Sequence, residues 1–303
     1  MIYDAVKSTA DTLIARYLRL QLPERIAAVS DALRAVDIRD EAALEALHAQ
    51  LTEELHQAPP VTVEPPLEEA VMHLLREEYR SDRPTLTYVV GQPGSGKSAL
   101  IHELAPGLNI DSDLLRLLFP ATESSRTGEP IPQDGNEVAV LGKQLLRRGL
   151  EESQSIYMEH LLRNSTSVRV TIAEAIRRGY RIQAEVMAVP RKVSLLGIAA
   201  RYLDDPTWIS LTAHDSAYAA VASNLRLYPR LFNSIRVRDS QLRVRYEGDD
   251  VREATAMVKR VRQEPMDEYF TGMLTRFTPQ LEALSAADPQ TAEVIGALFV
   301  ATQ

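Results

Sequence analysis

TLTYVVGQPGSGKS, residues 85–98, joins a run of β-branched and aromatic residues to a glycine-rich loop. Thr85 to Val90 has strand composition. Gly91-Gln92-Pro93-Gly94-Ser95-Gly96-Lys97-Ser98 then satisfies G-x-x-x-x-G-K-[S/T] at every constrained position, with Ala99 inside a helical pattern over 97–105. A loop of this kind turns successive backbone N–H groups inward around phosphate oxygens. Its lysine reaches the β and γ phosphates, and the hydroxyl after it ligates Mg2+. Residues 91–99 are therefore the expected nucleotide cradle, Ser98 the expected metal ligand, and ATP or GTP with Mg2+ the expected cofactors. The strand before the loop and the helix after it separate this stretch from an ordinary glycine turn. Hydrolysis or transfer of the terminal phosphate stays open here. A hydrolysing switch needs an acid at the end of a second strand, and Ile156-Tyr-Met-Glu159 offers one.

Outward from the loop, strand-like runs at 85–90, about 107–111, 154–158, 182–189 and 234–239 alternate with helical patterns at 97–105, 137–150, 168–178, 192–203 and 213–228. Such alternation predicts an α/β fold: a P-loop kinase-like, mainly parallel sheet flanked by helices. Leu242 to Tyr246 alternates after Asp239-Ser-Gln and reads as a terminal hairpin, and 250–300 returns to helical spacing. Ahead of the loop, residues 1–58 carry helical stripes, among them Ala43, Leu44, Leu47, Leu51 and Leu55. These predict a small all-α N-terminal domain. Ala58-Pro-Pro-Val-Thr-Val-Glu-Pro-Pro66 cannot continue a helix, so 59–66 is a semi-rigid linker and 67–303 the α/β domain with a helical C-terminal extension.

Composition excludes several classes. The 303 residues include no cysteine, which removes disulfides, thiolate-held zinc and a cysteine nucleophile and fits a reducing cytoplasm. No apolar run approaches a membrane span. A net charge of −8 argues against a general nucleic-acid partner, leaving the Arg-rich stretches 147–201 and 226–245 as candidate local patches. The six histidines show no paired metal-ligand spacing.

Beyond the loop, Asn109-Ile-Asp-Ser-Asp113-Leu-Leu-Arg116 follows a strand. Asp111 or Asp113 there either caps the next helix or takes the proton of an acceptor hydroxyl. Together with the loop, Asp113 to Arg116 before Pro120, Glu159-His-Leu-Leu-Arg163-Asn, Gly179-Tyr180, Val189-Pro190, Ser194, Arg201-Tyr202 and His214-Asp215 make an ordered series over roughly 67–247. The series resembles the zeta-toxin family. That resemblance implies a P-loop kinase of a bacterial toxin–antitoxin system, phosphorylating a sugar hydroxyl of UDP-N-acetylglucosamine. It implies Asp113 as general base, Arg116, Glu159 and Arg163 as acceptor-binding residues, and Lys97 and Arg201 on the transferring phosphate. A guanidinium suits the last role because its planar fork follows charge spread over equatorial oxygens.

Two departures bear on the acceptor. Leu161 stands where the family has threonine, and no clear second arginine lies between Tyr202 and His214. Arg226 and Arg230, four apart on the expected helix, are either substitutes or a solvated face. The acceptor is therefore a nucleotide-sugar or, as alternatives, an NAD-like dinucleotide or an antibiotic; a nucleotide-binding regulatory protein with weak catalysis is a further alternative. Family toxins are silenced by a helical antitoxin, which makes residues 1–58 either an antitoxin in cis or a stabilising or dimerising extension, with a separate antitoxin in trans as the other arrangement.

Overall fold

The structure is a computed structural model that describes residues 71–72, 74–111, 115, 134–163, 165–204 and 209–299. The helical domain expected at 1–58, the linker at 59–66, and Asp113 and Arg116 lie outside the described residues. A short 3-10 turn, Glu77–Tyr79, leads into strand β1, Thr85–Val90, and helix α1, Lys97–Glu103. There follow β2 (Leu108–Ile110), α2 (Asp134–Glu151), β3 (Ile156–His160), α3 (Ser165–Arg177) and β4 (Arg181–Met187). The order continues with α4 (Arg191–Asp204), α5 (Leu211–Leu225), β5 (Ser234–Arg238), β6 (Val244–Gly248), α6 (Val251–Arg262), α7 (Glu268–Ala287) and α8 (Pro289–Phe299).

The strands form one sheet in the order β2-β3-β1-β4-β5-β6. β2 pairs parallel with β3 and β4 parallel with β5, while β6 turns back antiparallel on β5. β1 is buried along all but its first residue, as an apolar run flanked by strands on both sides requires. Crossing order around β1 puts its C-terminal end at the switch point where ligands bind open α/β sheets. The mainly parallel sheet flanked by helices is the architecture expected from the sequence.

Contacts between Cα atoms group the described residues into two units, and the division falls within β1, β3 and β4. One unit draws on the described residues within 71–87, 106–158 and 165–182. Its core holds Leu108, Leu141, Leu145, Leu150 and Ile156. The Tyr180 hydroxyl sits 2.9 Å from the Gly149 carbonyl and 2.8 Å from that of Gln154, and buried Glu174 pairs with Arg177 and Arg178. The other unit, Tyr88–Ala105, Glu159–Arg163 and Gln183–Gln303, contains the phosphate loop.

In this second unit local sequence sets the helix starts. Ser210, Asp250 and Asp267 cap α5, α6 and α7 with side-chain oxygens that accept free backbone N–H groups. The C-terminal extension is not a loose tail. Leu281 of α7 and Val294, Ile295 and Leu298 of α8 are buried against Leu195, Leu196, Ala199 and Tyr202 of α4.

Two expectations need correction. The helix expected over 213–228 ends at Leu225, where Leu227 N and Tyr228 N bond back to Asn224 and Leu225 in tighter turns. Arg230 has a φ of 62°, so Arg226 and Arg230 do not share a helix face. Burial of Tyr228 decides this: it has no exposed surface, and its hydroxyl donates to the Leu162 carbonyl at 3.0 Å. The Arg-rich stretch 226–245 is also no basic patch along its strands. Glu185, buried on β4, pairs with Arg236 and Arg238; Asp239, also buried, holds Arg243 and Arg245. Glu247 and Glu264 complete the set and lie below the ordinary carboxylate range because Arg236 and Arg245 donate to them.

Because Leu281 has no exposed surface in the α4–α7–α8 cluster, Leu281→Ala should lower stability by about 2–5 kcal/mol. Urea unfolding monitored by circular dichroism would show this as a lower midpoint with an unchanged slope.

Candidate phosphate-transfer site

The loop 91–98 leaves the buried end of β1 and enters α1 through Gly96, which has a φ of 89° and gives the helix no side-chain cap. Along the loop the burial alternates in purpose. Gln92 and Ser95 are turned into the protein, whereas Gly96, Ser98 and Ala99 face outward. Lys97 folds back so that Nζ donates to the Gln92 carbonyl at 3.4 Å, the same carbonyl that accepts from Ser95 N at 3.2 Å.

β3 runs to His160, two residues beyond the expected end of that strand, and thereby delivers Glu159 to the loop. Lys97 Nζ lies 3.5 Å from Glu159 Oε2, and the Ser98 hydroxyl donates to Oε1 at 3.2 Å. One carboxylate thus meets both loop side chains expected to handle phosphate and metal. Ser98 Oγ and the Glu159 oxygens are hard oxygen donors of the kind Mg2+ prefers. The donor set fits the ion.

Just past β3 the chain bends through Leu162, a residue at φ 53° that has no exposed surface. This left-handed conformation is strained for a leucine. Three contacts hold it: Leu162 N donates to His160 Nδ1 at 2.7 Å, the Leu161 carbonyl accepts from Asn224 at 2.8 Å, and the Leu162 carbonyl accepts from Tyr228. The bend places Arg163 so that it donates to Ser216 Oγ of α5 at 3.3 Å. Burial keeps His160 below its ordinary value, which matches a ring nitrogen used as an acceptor.

The loop rests on α4. A Cβ on Gly94, whose φ is 72°, would fall 2.0 Å from the Ser194 carbonyl, and one on Gly197 would fall 2.5 Å from the Gly94 carbonyl. Main chain therefore touches main chain. Ser194, Gly197, Ile198 and Arg201 follow three- and four-residue spacing, so Arg201 shares the loop-facing side of α4 one turn further on. Arg201 is exposed and has no ion-pair partner among the described residues. No side-chain contact joins it to Lys97, Ser98 or Glu159.

The start of α4 is tied to α5. Arg191 forms a bidentate pair with Asp215, both bonds at 2.8 Å. His214 Nδ1 lies 2.9 Å from Asp215 and Nε2 2.8 Å from Ser194 Oγ. The carboxylate only accepts, so Nδ1 carries the proton, and the Ser194 hydroxyl, with its one hydrogen, lies between Nε2 and the Arg191 carbonyl 3.0 Å away. Serine, histidine and aspartate in this order resemble a hydrolase triad, but Ser194 and His214 have no exposed surface. The set is a brace, and His214 makes structural hydrogen bonds near the start of α5.

Sequence reading missed Arg191 and Arg262. Arg262 closes α6 next to Lys259 and Arg260 and looks from the sequence like one more solvated charge. In the fold it donates to Gln92 of the loop at 2.9 Å.

A strand ending in a phosphate loop, a lysine and serine from that loop on one carboxylate of a second strand, and a parallel sheet flanked by helices define the P-loop kinase fold. Residues 71–268 match the family described as Zeta toxin, and the chain belongs to that family. Among solved structures, a chain from the PezAT chromosomal toxin–antitoxin system of Streptococcus pneumoniae superposes with a TM-score of 0.61 at 17% identity, covering 74% of this chain and 98% of that one. A chain of the AvrRxo1-ORF1:-ORF2 complex does so with a TM-score of 0.50 at 16% identity, covering 78% and 90%. At these identities the likeness is one of fold. No curated protein matches the chain. Helix α7 begins where the family match ends, and α8 lies beyond it. No helix among the described residues is long and apolar enough to cross a membrane.

Two outcomes follow from this geometry. Gly197→Ala drives a Cβ into the Gly94 carbonyl, so it should weaken nucleotide binding measured by calorimetry at least about tenfold unless the loop shifts, a strain of about 1–3 kcal/mol. Burial, opposed by Asp215 and aided by Arg191 and Arg262, also keeps His214 below its ordinary value. Below pH about 6.5 the unfolded chain then binds a proton that the folded ring refuses, so stability falls as pH falls through that window. His214→Gln should flatten the fall in urea midpoint between pH 7 and 5, with His160 keeping its own share.

Proposed function

We propose that this chain is an ATP- or GTP-dependent phosphotransferase that moves the γ-phosphoryl group to a hydroxyl of a nucleotide-sugar such as UDP-N-acetylglucosamine. The convergence of Lys97 and Ser98 on Glu159 supports this most directly. Loop amides from 91–99 cradle the β and γ phosphates. Ser98, with Glu159 at hand, would hold Mg2+, which when bound would supply neutralisation of the negative charge on the transferring phosphate.

Lys97 exchanges its carboxylate for the terminal phosphate, leaving Glu159 to orient the acceptor with Arg163 and Arg116. Asp113 takes the acceptor hydroxyl's proton as its oxygen forms the new bond to phosphorus and the β–γ bridge breaks. Arg201, exposed on the loop side of α4, follows the charge on the transferring group. Asp113 and Arg116 enter on their sequence pattern alone.

The bend that carries Arg163 favours keeping a second acceptor class in view. Where the family has a threonine hydroxyl, Leu161 contributes a main-chain carbonyl that is already taken by Asn224. A pocket lacking that hydroxyl discriminates polar acceptors less sharply, so an NAD-like dinucleotide or an antibiotic hydroxyl is the second reading.

Regulation by an antitoxin is part of the proposal. Residues 1–58 act in cis, favoured by a tether that sets an effective concentration around the millimolar range, and a separate protein acts in trans if they do not. The acidic composition supports small-molecule rather than nucleic-acid partners, and the cysteine-free sequence supports a cytoplasmic setting.

Incubating the protein with ATP, Mg2+ and a panel of UDP-sugars, NAD and chloramphenicol, with products read by mass, tests the acceptor. A phosphorylated UDP-sugar is expected; product only from another acceptor moves the assignment to the second reading. Asp113→Asn should cut transfer at least about 100-fold while leaving ATP affinity within about twofold. Full turnover by that variant removes Asp113 as base. Deleting residues 1–58 should raise turnover, and an unchanged rate rejects inhibition in cis.

A further inference from the structure

We propose that Arg262 is a positioning residue of the phosphate loop and sets a fixed positive charge behind it, so that the loop discriminates in favour of polyphosphates. The proposal builds on the nucleotide reading above and concerns a residue to which that reading gives no part.

Three observations bring Arg262 to the loop. Its Nη2 donates to Gln92 Oε1 at 2.9 Å, its Nη1 donates to the Tyr218 carbonyl of α5 at 2.6 Å, and its Cζ lies 4.0 Å from the centre of the Tyr218 ring. Both hydrogen-bond acceptors are neutral. No carboxylate among the described residues pairs with it, although every other arginine of β5, β6 and their turn has one. Its Nε is buried without a partner, as is Nε2 of Gln92, whose side chain has no exposed surface. A cation partly withdrawn from water in this way is costly unless negative charge arrives nearby. Burial indeed pushes the guanidinium below its ordinary value, with Tyr218 opposing.

Position converts that cost into selectivity. Gln92 is the residue whose carbonyl accepts from both Lys97 Nζ and Ser95 N. By gripping its side chain, Arg262 orients the carbonyl that holds the catalytic lysine. Tyr218 extends the support, its ring stacked 6.1 Å from that of His214, which in turn bonds Ser194 beneath Gly94. α6 is rigid enough to carry the charge. Val251, Ala254, Val258 and Val261 are buried, and Asp250 caps its start. Each phosphate added in the loop should meet an unneutralised charge, and a monophosphate should meet it least.

The test compares MgATP and AMP binding by calorimetry in the wild-type chain, Arg262→Gln and Arg262→Lys, with folding checked by thermal melting. Glutamine keeps donors for the same acceptors and loses the charge; lysine keeps the charge and loses the fork. Arg262→Gln should weaken ATP binding about tenfold and AMP binding less than about twofold, an effect one nearby charge can supply. In turnover it should raise KM for ATP with kcat changed less than about threefold. Arg262→Lys should restore most of the ATP-to-AMP ratio. Equal losses for ATP and AMP, or a lysine variant with as low a ratio as glutamine, overturn the proposal. Should Arg262→Gln fail to fold, the lysine variant decides alone: a kept ratio supports the charge and a lost ratio overturns it. A wild-type chain that binds neither nucleotide overturns the nucleotide reading itself, and this proposal with it.

Discussion

The main chain of the phosphate loop lies directly on the main chain of α4, Gly94 against Ser194 and Gly197 against Gly94. Nothing larger than hydrogen fits at either position, so the loop's shape and the helix's placement are one constraint. Several features far apart in sequence serve it. α7 and α8 bury the opposite face of α4, and Arg191, Asp215 and His214 tie its first turn to α5. The loop is thereby shaped before any ligand arrives, which is how a phosphate site avoids a reorganisation cost during transfer.

Charge is distributed with the same economy. Most arginines of the β5–β6 hairpin are neutralised by Glu185, Asp239, Glu247 and Glu264, two of these carboxylates being buried. These pairs join strand to strand and helix, and leave little field for an outside anion. Arg201 and Arg262 differ in lacking a carboxylate partner among the described residues, and both belong to elements that touch the loop. Lys97 has a partner in Glu159.

Much of this was legible in the sequence because it is local. The loop needs glycines and a lysine at set spacing, and β1 needs a run of β-branched and aromatic residues. β2, β4 and β5 fell where β-branched runs placed them. The end of α5 was not legible: residues 226–228 have helical composition, and burial of Tyr228 on the Leu162 carbonyl overrides it. Glu159 was legible as an acid closing a second strand, whereas the continuation of β3 to His160 was not, since His160 gains strand geometry from its neighbours rather than from its own propensity.

The sequence by itself determined the glycine-rich loop between strand and helix, the alternation that builds a mainly parallel sheet, and membership of the zeta-toxin family. Only the tertiary structure decided which charges remain unneutralised and which side chains reach the loop. Arg236 and Arg262 look alike as letters in basic runs. One lies across from Glu185 and Glu247, and the other is 170 residues from the Gln92 it grips. Ion pairing and burial depend on what packing brings within a few ångströms, and one-dimensional spacing carries no record of that distance.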